Sequence, residues 1–161
     1  MDMRRTDRQV EGPDRIDDIL QRAMVGHLGL VDAGGAYVVP VSFAHRRTDA
    51  ERITVYLHGA GQGRKMLAIR RNPSARICFQ AEIWHGVGDL TQWYESVIGF
   101  GTARVVTDHD EAELGLRAIV GKYSPSRVGD VTPAVVADVT MLALELDELT
   151  AKANLPKDDI A

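Results

Sequence analysis

Cysteine is nearly absent from this 161-residue chain, aromatic residues make up only 6% of it, and no apolar run approaches the length of a membrane span. The single cysteine, Cys78, excludes an internal disulfide and a thiolate metal cluster. Its neighbours Ala75, Ile77 and Phe79 predict a buried, inert thiol. Positive charge is also short: 19 Lys and Arg stand against 23 Asp and Glu, for a net charge of -4. That sign opposes binding to nucleic acid or to anionic lipid. The first ten residues, Met1 to Val10, hold no apolar core for a signal peptide, so a soluble, cytoplasmic protein is expected. There is no Ser-His-Asp set and no pair of carboxylates placed for acid-base work. His27, His45, His85 and His109 lack ligand spacing with Cys, Asp or Glu, so no metal is expected.

What is present reads as one domain, since this length suffices for a single core. Residues 1–13 are expected to be a flexible N-terminal segment, 14–154 the domain and 155–161 a tail. Behind Gly12-Pro13, the residues Ile16, Ile19, Leu20 and Ala23 follow helical spacing, with Asp14 placed to cap the first turn. Two β-rich stretches follow, Gly26 to Val31 and Ala36 to His45, joined by a glycine-containing turn. In the second, Tyr37, Val39, Val41 and Phe43 share one face. Pro40 and Ser42 take the other, and a proline that cannot donate to a ladder predicts an edge, a bulge or an open backbone site. A further hairpin through 46–52 leads into Ile53 to His58.

Gly59 to Gly63 then breaks the strand, and Arg64 to Arg71 predicts a helix ended by Asn72-Pro73. Strands are predicted over Ala75 to Trp84, Tyr94 to Val106 and Val139 to Leu146. A helix belongs between Asp108 and Tyr123, with Leu116, Ile119, Val120 and Tyr123 inward. Ser124 to Pro133 reads as irregular, and the acidic cluster at 108–113 as a solvated helix start. Trp84 and Trp93 flank a loop at 85–92 and read as core or interface residues. Six strands joined mostly by short connections favour antiparallel pairing, hence a mainly β (α+β) fold: a six-stranded split or closed β-barrel with peripheral helices.

A strand, a glycine-rich turn and a helix start together make an anion site, because the free N–H groups of the first turn point outward and glycine lets a ligand approach. Arg64 and Lys65 stand at that turn. Arg64 offers a planar fork and Lys65 a mobile point charge, a pair suited to a phosphate dianion. The spacing is not that of a nucleoside-triphosphate loop. His58 lies on the more polar strand face at the mouth of this loop, where an imidazole can donate toward a ligand.

Four runs, Tyr37-Val38-Val39-Pro40-Val41-Ser42-Phe43, Tyr56-Leu57-His58-Gly59-Ala60, Gly63-Arg64-Lys65 and Glu95-Ser96-Val97-Ile98-Gly99-Phe100-Gly101, resemble pyridoxamine 5'-phosphate oxidase-like flavin-binding proteins in order and spacing. Residues 14–154 most resemble the nitroimidazole-reductase-like branch. The resemblance implies an FMN-binding split barrel acting as an oxidoreductase on a small planar or electron-poor molecule. It implies Pro40, Val41 and Ser42 against the isoalloxazine or ribityl chain, His58 and Gly59 beside them, and Gly63, Arg64 and Lys65 at the phosphate. It further implies a homodimer with flavin between protomers, Tyr94 and Ser96 coming from the partner. His58 is the best catalytic candidate, and Gly99 and Gly101 would permit close approach of a backbone. A deazaflavin coenzyme is the alternative cofactor, its longer tail meeting Arg70 and Arg71, and haem is another. A protein that merely holds flavin, deazaflavin or haem is the non-enzymatic alternative. The chain ends without the Arg-, His- and Trp-rich segment of pyridoxamine-phosphate oxidases, and it has Arg64 where many nitroimidazole-resistance relatives have His. Neither activity is therefore copied across.

Overall fold

The computed structural model describes residues 4–48, 52–85 and 90–156. Parts of four expected features, the 1–13 segment, the 46–52 turn, the 85–92 loop and the 155–161 tail, thus lie outside the described residues. Helix α1 (Pro13–Arg22) opens with proline at its first position and Gly12 at φ 88° as its N-cap. Asp14 sits inside the first turn and does not cap it. The remaining elements are β1 (Gly26–Asp32), β2 (Gly35–Val41), β3 (Phe43–Arg47), β4 (Ile53–Gly59), α2 (Arg64–Arg71), β5 (Ser74–His85), β6 (Gln92–Val105), α3 (His109–Tyr123), α4 (Pro133–Ala137) and β7 (Thr140–Asn154). Residues 6–8 form a 3-10 turn, after which the Val10 N–H donates to the Ala151 carbonyl of β7 at 3.0 Å.

All seven strands belong to one sheet, in the order β2-β1-β5-β6-β7-β4-β3 with antiparallel neighbours throughout. The expected count of six is corrected here. Ala36 to His45, read as one strand, is interrupted at Ser42, and its two halves form opposite margins of the sheet. The chain therefore curls the sheet round so that its margins meet at one residue, which is the split of a split barrel. Pro40 lies on the marginal strand β2, where its missing donor leaves no inner ladder incomplete.

The alternation of side chains is regular across five strands. Val41, Gly26, Phe79, Val97 and Ala151 lie side by side and face inward, where all but the glycine belong to the main core cluster. The next row, Pro40, His27, Cys78, Ile98 and Thr150, faces outward. Cys78 is thus half-buried on the outer face, not in the core as expected, and burial pushes its thiol up. Trp84 and Trp93 are cross-strand partners, with Trp84 exposed and Trp93 half-buried.

One strand far outruns its predicted end. β7 continues eight residues past Leu146, because Asp147 bulges out between the pairs Phe100–Glu148 and Gly101–Leu146 and pairing then resumes. Gly101 makes this possible: a β-carbon there would sit 2.7 Å from the Glu145 carbonyl carbon. The close approach expected of Gly99 and Gly101 is thus to Leu146 and Glu145 of β7.

The stretch between β6 and β7 is a helical insert. Asp108 caps α3 by accepting from the Glu111 N–H at 2.8 Å, and Gly115 lets the helix lie on the Tyr56 ring. Leu116 and Ile119 bury against Tyr56, Met141 and Ala143 as a second apolar cluster. The segment expected to be irregular forms a 3-10 turn at Pro125–Asp130, followed by α4. The acidic cluster is not simply solvated, since Glu111 pairs with Arg104 and Glu113 with Arg117.

One inward residue of β6 is charged. Glu95 is 1% exposed, and Arg15 and Arg22 of α1 hold its two carboxylate oxygens. This fastens α1 to the barrel from outside, since the arginines keep part of their surface in water.

Candidate functional site

The break at Ser42 is where the sequence-predicted residues begin to gather. Ser42 is exposed, while the next residue, Phe43, is fully buried and fixed on three sides. Its N–H donates to the Tyr123 hydroxyl at 3.0 Å, and that hydroxyl donates onward to the Met24 carbonyl at 2.8 Å. Its ring stacks on Phe79 at 4.3 Å and carries the Lys122 ammonium 3.5 Å above it. Lys122 also donates to the Leu20 carbonyl near the end of α1 at 2.8 Å. The last two residues of α3 thus pin the strand break to α1, a role nothing in their spacing announces.

Burial pushes the Lys122 ammonium down to about 8. In the unfolded chain it titrates near its ordinary value of about 10.4. Between those values the unfolded chain binds the extra proton, so stability rises with pH across that window. The urea midpoint is accordingly expected to be higher at pH 9.5 than at pH 8, and Lys122→Met to abolish most of the rise. An equal rise in the variant would assign it elsewhere. Nearby His45 responds in the opposite range. Burial lowers it, Asp17 lies 3.7 Å from its Nε2, and its Nδ1 has no hydrogen-bond partner among the described residues.

His58 lies near the end of β4, opposite Met141 of β7, and its imidazole has no hydrogen-bond partner among the described residues. It is exposed and lines, with Ser42, a cavity of about 380 Å³ under the helical insert. The strand closes at Gly59, opposite Thr140. Gly63, at φ 108°, is the N-cap of α2, and no side chain among the described residues caps the first helical turn.

The two cations at this turn part company. Arg64 is drawn to the β1–β2 hairpin, where it pairs with Asp32 and its guanidinium lies 4.4 Å from the centre of the Tyr37 ring. Asp32 also accepts from the Gly34 N–H at 2.8 Å, and Arg64 with this bond holds its carboxyl below the usual range. Lys65 turns the other way and is half-buried against Gly59, so close that a β-carbon there would stand 2.8 Å from its Nζ. No acceptor meets that ammonium among the described residues, and burial pushes its pKa down. Arg70 folds back to the Gly61 carbonyl at 3.5 Å, while Arg71 is exposed.

Ser42 at the break and His58 on β4 line one cavity and Gly59 meets Lys65 at the loop, whereas Pro40 and Val41 lie at the Gly26 end of β2 and Arg64 reaches its other end, beside Asp32. Tyr94 and Ser96 do not join them within one chain. The row containing His58 reaches β6 at Val106, which bonds to Met141, roughly 30 Å along the strand from Ser96 at about 3.3 Å per residue, whereas the row of Val41 reaches β6 at Val97, beside Ser96 but three strands away. Both are half-buried near the other end of β6, and Ser96 lies one row from Ile98 on the same outer face as Pro40. Among the described residues, no group of three His, Cys, Asp or Glu is placed to hold a metal, and no helix is long and apolar enough to cross a membrane.

Comparison with known proteins gives this architecture a context. A family model described as pyridoxamine 5'-phosphate oxidase matches residues 12–153. No curated protein matches the chain. Among solved structures, a Bacteroides thetaiotaomicron protein provisionally assigned to 5-nitroimidazole antibiotic resistance is 24% identical, with TM-score 0.74 over 90% of this chain and 86% of its own. The flavocytochrome Anf3 from Azotobacter vinelandii is 20% identical, with TM-score 0.76 over 96% of this chain and 73% of that one. An FAD and haem binding protein from Mycobacterium smegmatis is 23% identical, with TM-score 0.75 over 96% of this chain and 77% of its own. At these identities the likeness is one of fold.

Proposed function

Because the chain belongs to the pyridoxamine 5'-phosphate oxidase family, we propose that it is an FMN-binding oxidoreductase which works as a homodimer on a small uncharged substrate. The observation that carries this reading is Lys65: an ammonium half-buried at a glycine loop, without an acceptor among the described residues, is stable only at a cost that a bound anion removes. The residues fit a flavin phosphate. Gly59 leaves the space that Lys65 occupies, Gly63 opens a helix whose first turn no side chain among the described residues caps, and Arg64 can exchange Asp32 for a phosphate oxygen.

Pro40, Val41 and Ser42 would offer backbone and hydroxyl groups to the ring and chain of the cofactor, with His58 and Gly59 beside them. A bound flavin supplies hydride transfer, and the protein supplies binding, orientation and a dry wall. The outer sheet face supports the dimer: its exposed residues include Val38 and Ile98, in rows adjoining Pro40 on one side and Ser96 on the other. A second copy laid on that face would bring Tyr94 and Ser96 toward the partner's break.

The optical spectrum tests the reading. Protein mixed with FMN and passed through gel filtration is expected to keep flavin absorbance at about one cofactor per chain and to scatter light as a dimer. A colourless monomer would end it. Retention of a deazaflavin coenzyme in preference to FMN, or a Soret band from haem on His58, would replace the cofactor. Flavin that no nicotinamide donor reduces would leave a carrier in place of an enzyme.

A further inference from the structure

We propose that the cavity between the helical insert and the barrel is the substrate pocket, and that it takes an uncharged molecule of about two fused rings carrying a carbonyl-type acceptor oxygen. The word substrate rests on the flavin reading above. The binding itself does not.

The walls decide the class. Leu116, Ile119 and Val120 of α3, with Val131 and Val135 beyond it, make the lining predominantly apolar. The charged members are Arg127 and Asp130, and these neutralise each other through a contact of 2.9 Å between Nε and Oδ2. An ionic ligand would therefore lose its water without gaining an unpaired counter-charge. Size narrows the class further. A 150 Å³ apolar cavity is known to take benzene, so about 380 Å³ suits a naphthalene-sized body.

The barrel side of the lining is polar, and Ser124 adds a hydroxyl just beyond α3. Ser42 and His58 stand together on the wall, and the His58 imidazole has no hydrogen-bond partner among the described residues. A neutral imidazole carries one N–H, which can donate to a carbonyl oxygen. Both residues also border the proposed cofactor site, so a molecule held here adjoins the flavin. The neighbouring wall residue Tyr123 is spent on Phe43 and Met24, which fixes the pocket's shape and leaves recognition to His58.

Menadione, an uncharged naphthoquinone, and 1,4-naphthoquinone-2-sulfonate, its anionic counterpart, are suitable probes in equilibrium dialysis against apo and FMN-loaded protein. Menadione is expected to bind at least tenfold more tightly than the sulfonate. Val135→Trp should fill the cavity from its exposed rim on α4, and Val120→Trp from α3. Each should weaken menadione at least tenfold while FMN affinity stays within twofold and the melting temperature barely moves. No binding of menadione to the native protein, equal binding of the sulfonate, or unchanged binding in both tryptophan variants would overturn the proposal. If the native protein retains no FMN and Val135→Trp still weakens menadione, the flavin reading falls and the pocket stands.

Discussion

Lys65→Met is expected to weaken FMN binding about 100-fold and, at the same time, to raise the stability of the apo protein. Charge-assisted bonds contribute roughly 1.5 to 3 kcal/mol each, and the upper part of that range corresponds to a hundredfold change in affinity. The gain in apo stability comes from the same cause. Methionine keeps most of the stem that packs on Gly59 and removes the half-buried ammonium, whose charged form burial opposes. Arg64→Ala should cost less than tenfold, because Arg64 must surrender Asp32 and the Tyr37 ring before it can serve a phosphate. Fluorescence titration of FMN ranks the two variants, and thermal melting of the apo forms gives the second half of the comparison. The opposite ranking, or a Lys65→Met protein less stable than its parent, would remove Lys65 from the centre of the site.

Gly101→Ala should be the most damaging single methyl in the barrel, costing about 3 kcal/mol, or roughly 10 °C in melting temperature. The added carbon would overlap the Glu145 carbonyl and stand 2.9 Å from the Leu146 Cα. Both obstacles are backbone atoms in the β6–β7 pairing, so no side-chain rotation relieves them. Gly121→Ala provides the contrast. It lies inside α3 with only an ordinary contact of 3.8 Å to Val128, and alanine there should add about 0.5 to 1 kcal/mol of stability. Equal melting temperatures for the two variants would contradict the local geometry of the bulge.

Much of the scaffold was legible because strands with one buried face write their period into the chain. Tyr37, Val39 and Val41 alternate with Val38 and Pro40 in sequence as they do in space. The mistakes fell where pairing is non-local. Nothing between Ala36 and His45 says that the halves belong to opposite margins, and the acidic pair Asp147-Glu148 hides a strand that a bulge carries onward. The glycine loop and its cations were equally visible, whereas their division of labour was not. Arg64 turns away because Asp32 lies across the hairpin, 32 positions earlier, a proximity only the fold creates. The pinning of the break by Tyr123 and Lys122 is hidden for the same reason: spacing marks Tyr123 only as an inward helical residue and says nothing of Lys122, and their partners Phe43 and Met24 lie far back in the chain. The α3 cavity was foreshadowed only by the inward set Leu116, Ile119, Val120 and Tyr123, which reads equally well as plain core.

The place of β7 in the sheet has a consequence for synthesis on the ribosome. It follows β6 and β4 in the chain yet lies between them, so each of those strands lacks one of its two neighbours until β7 has been made. Until then the growing polypeptide carries two raw β edges and an apolar barrel wall with nothing to cover it. Closure of the sheet thus waits for β7, and that interval is when chaperones have most to offer this chain.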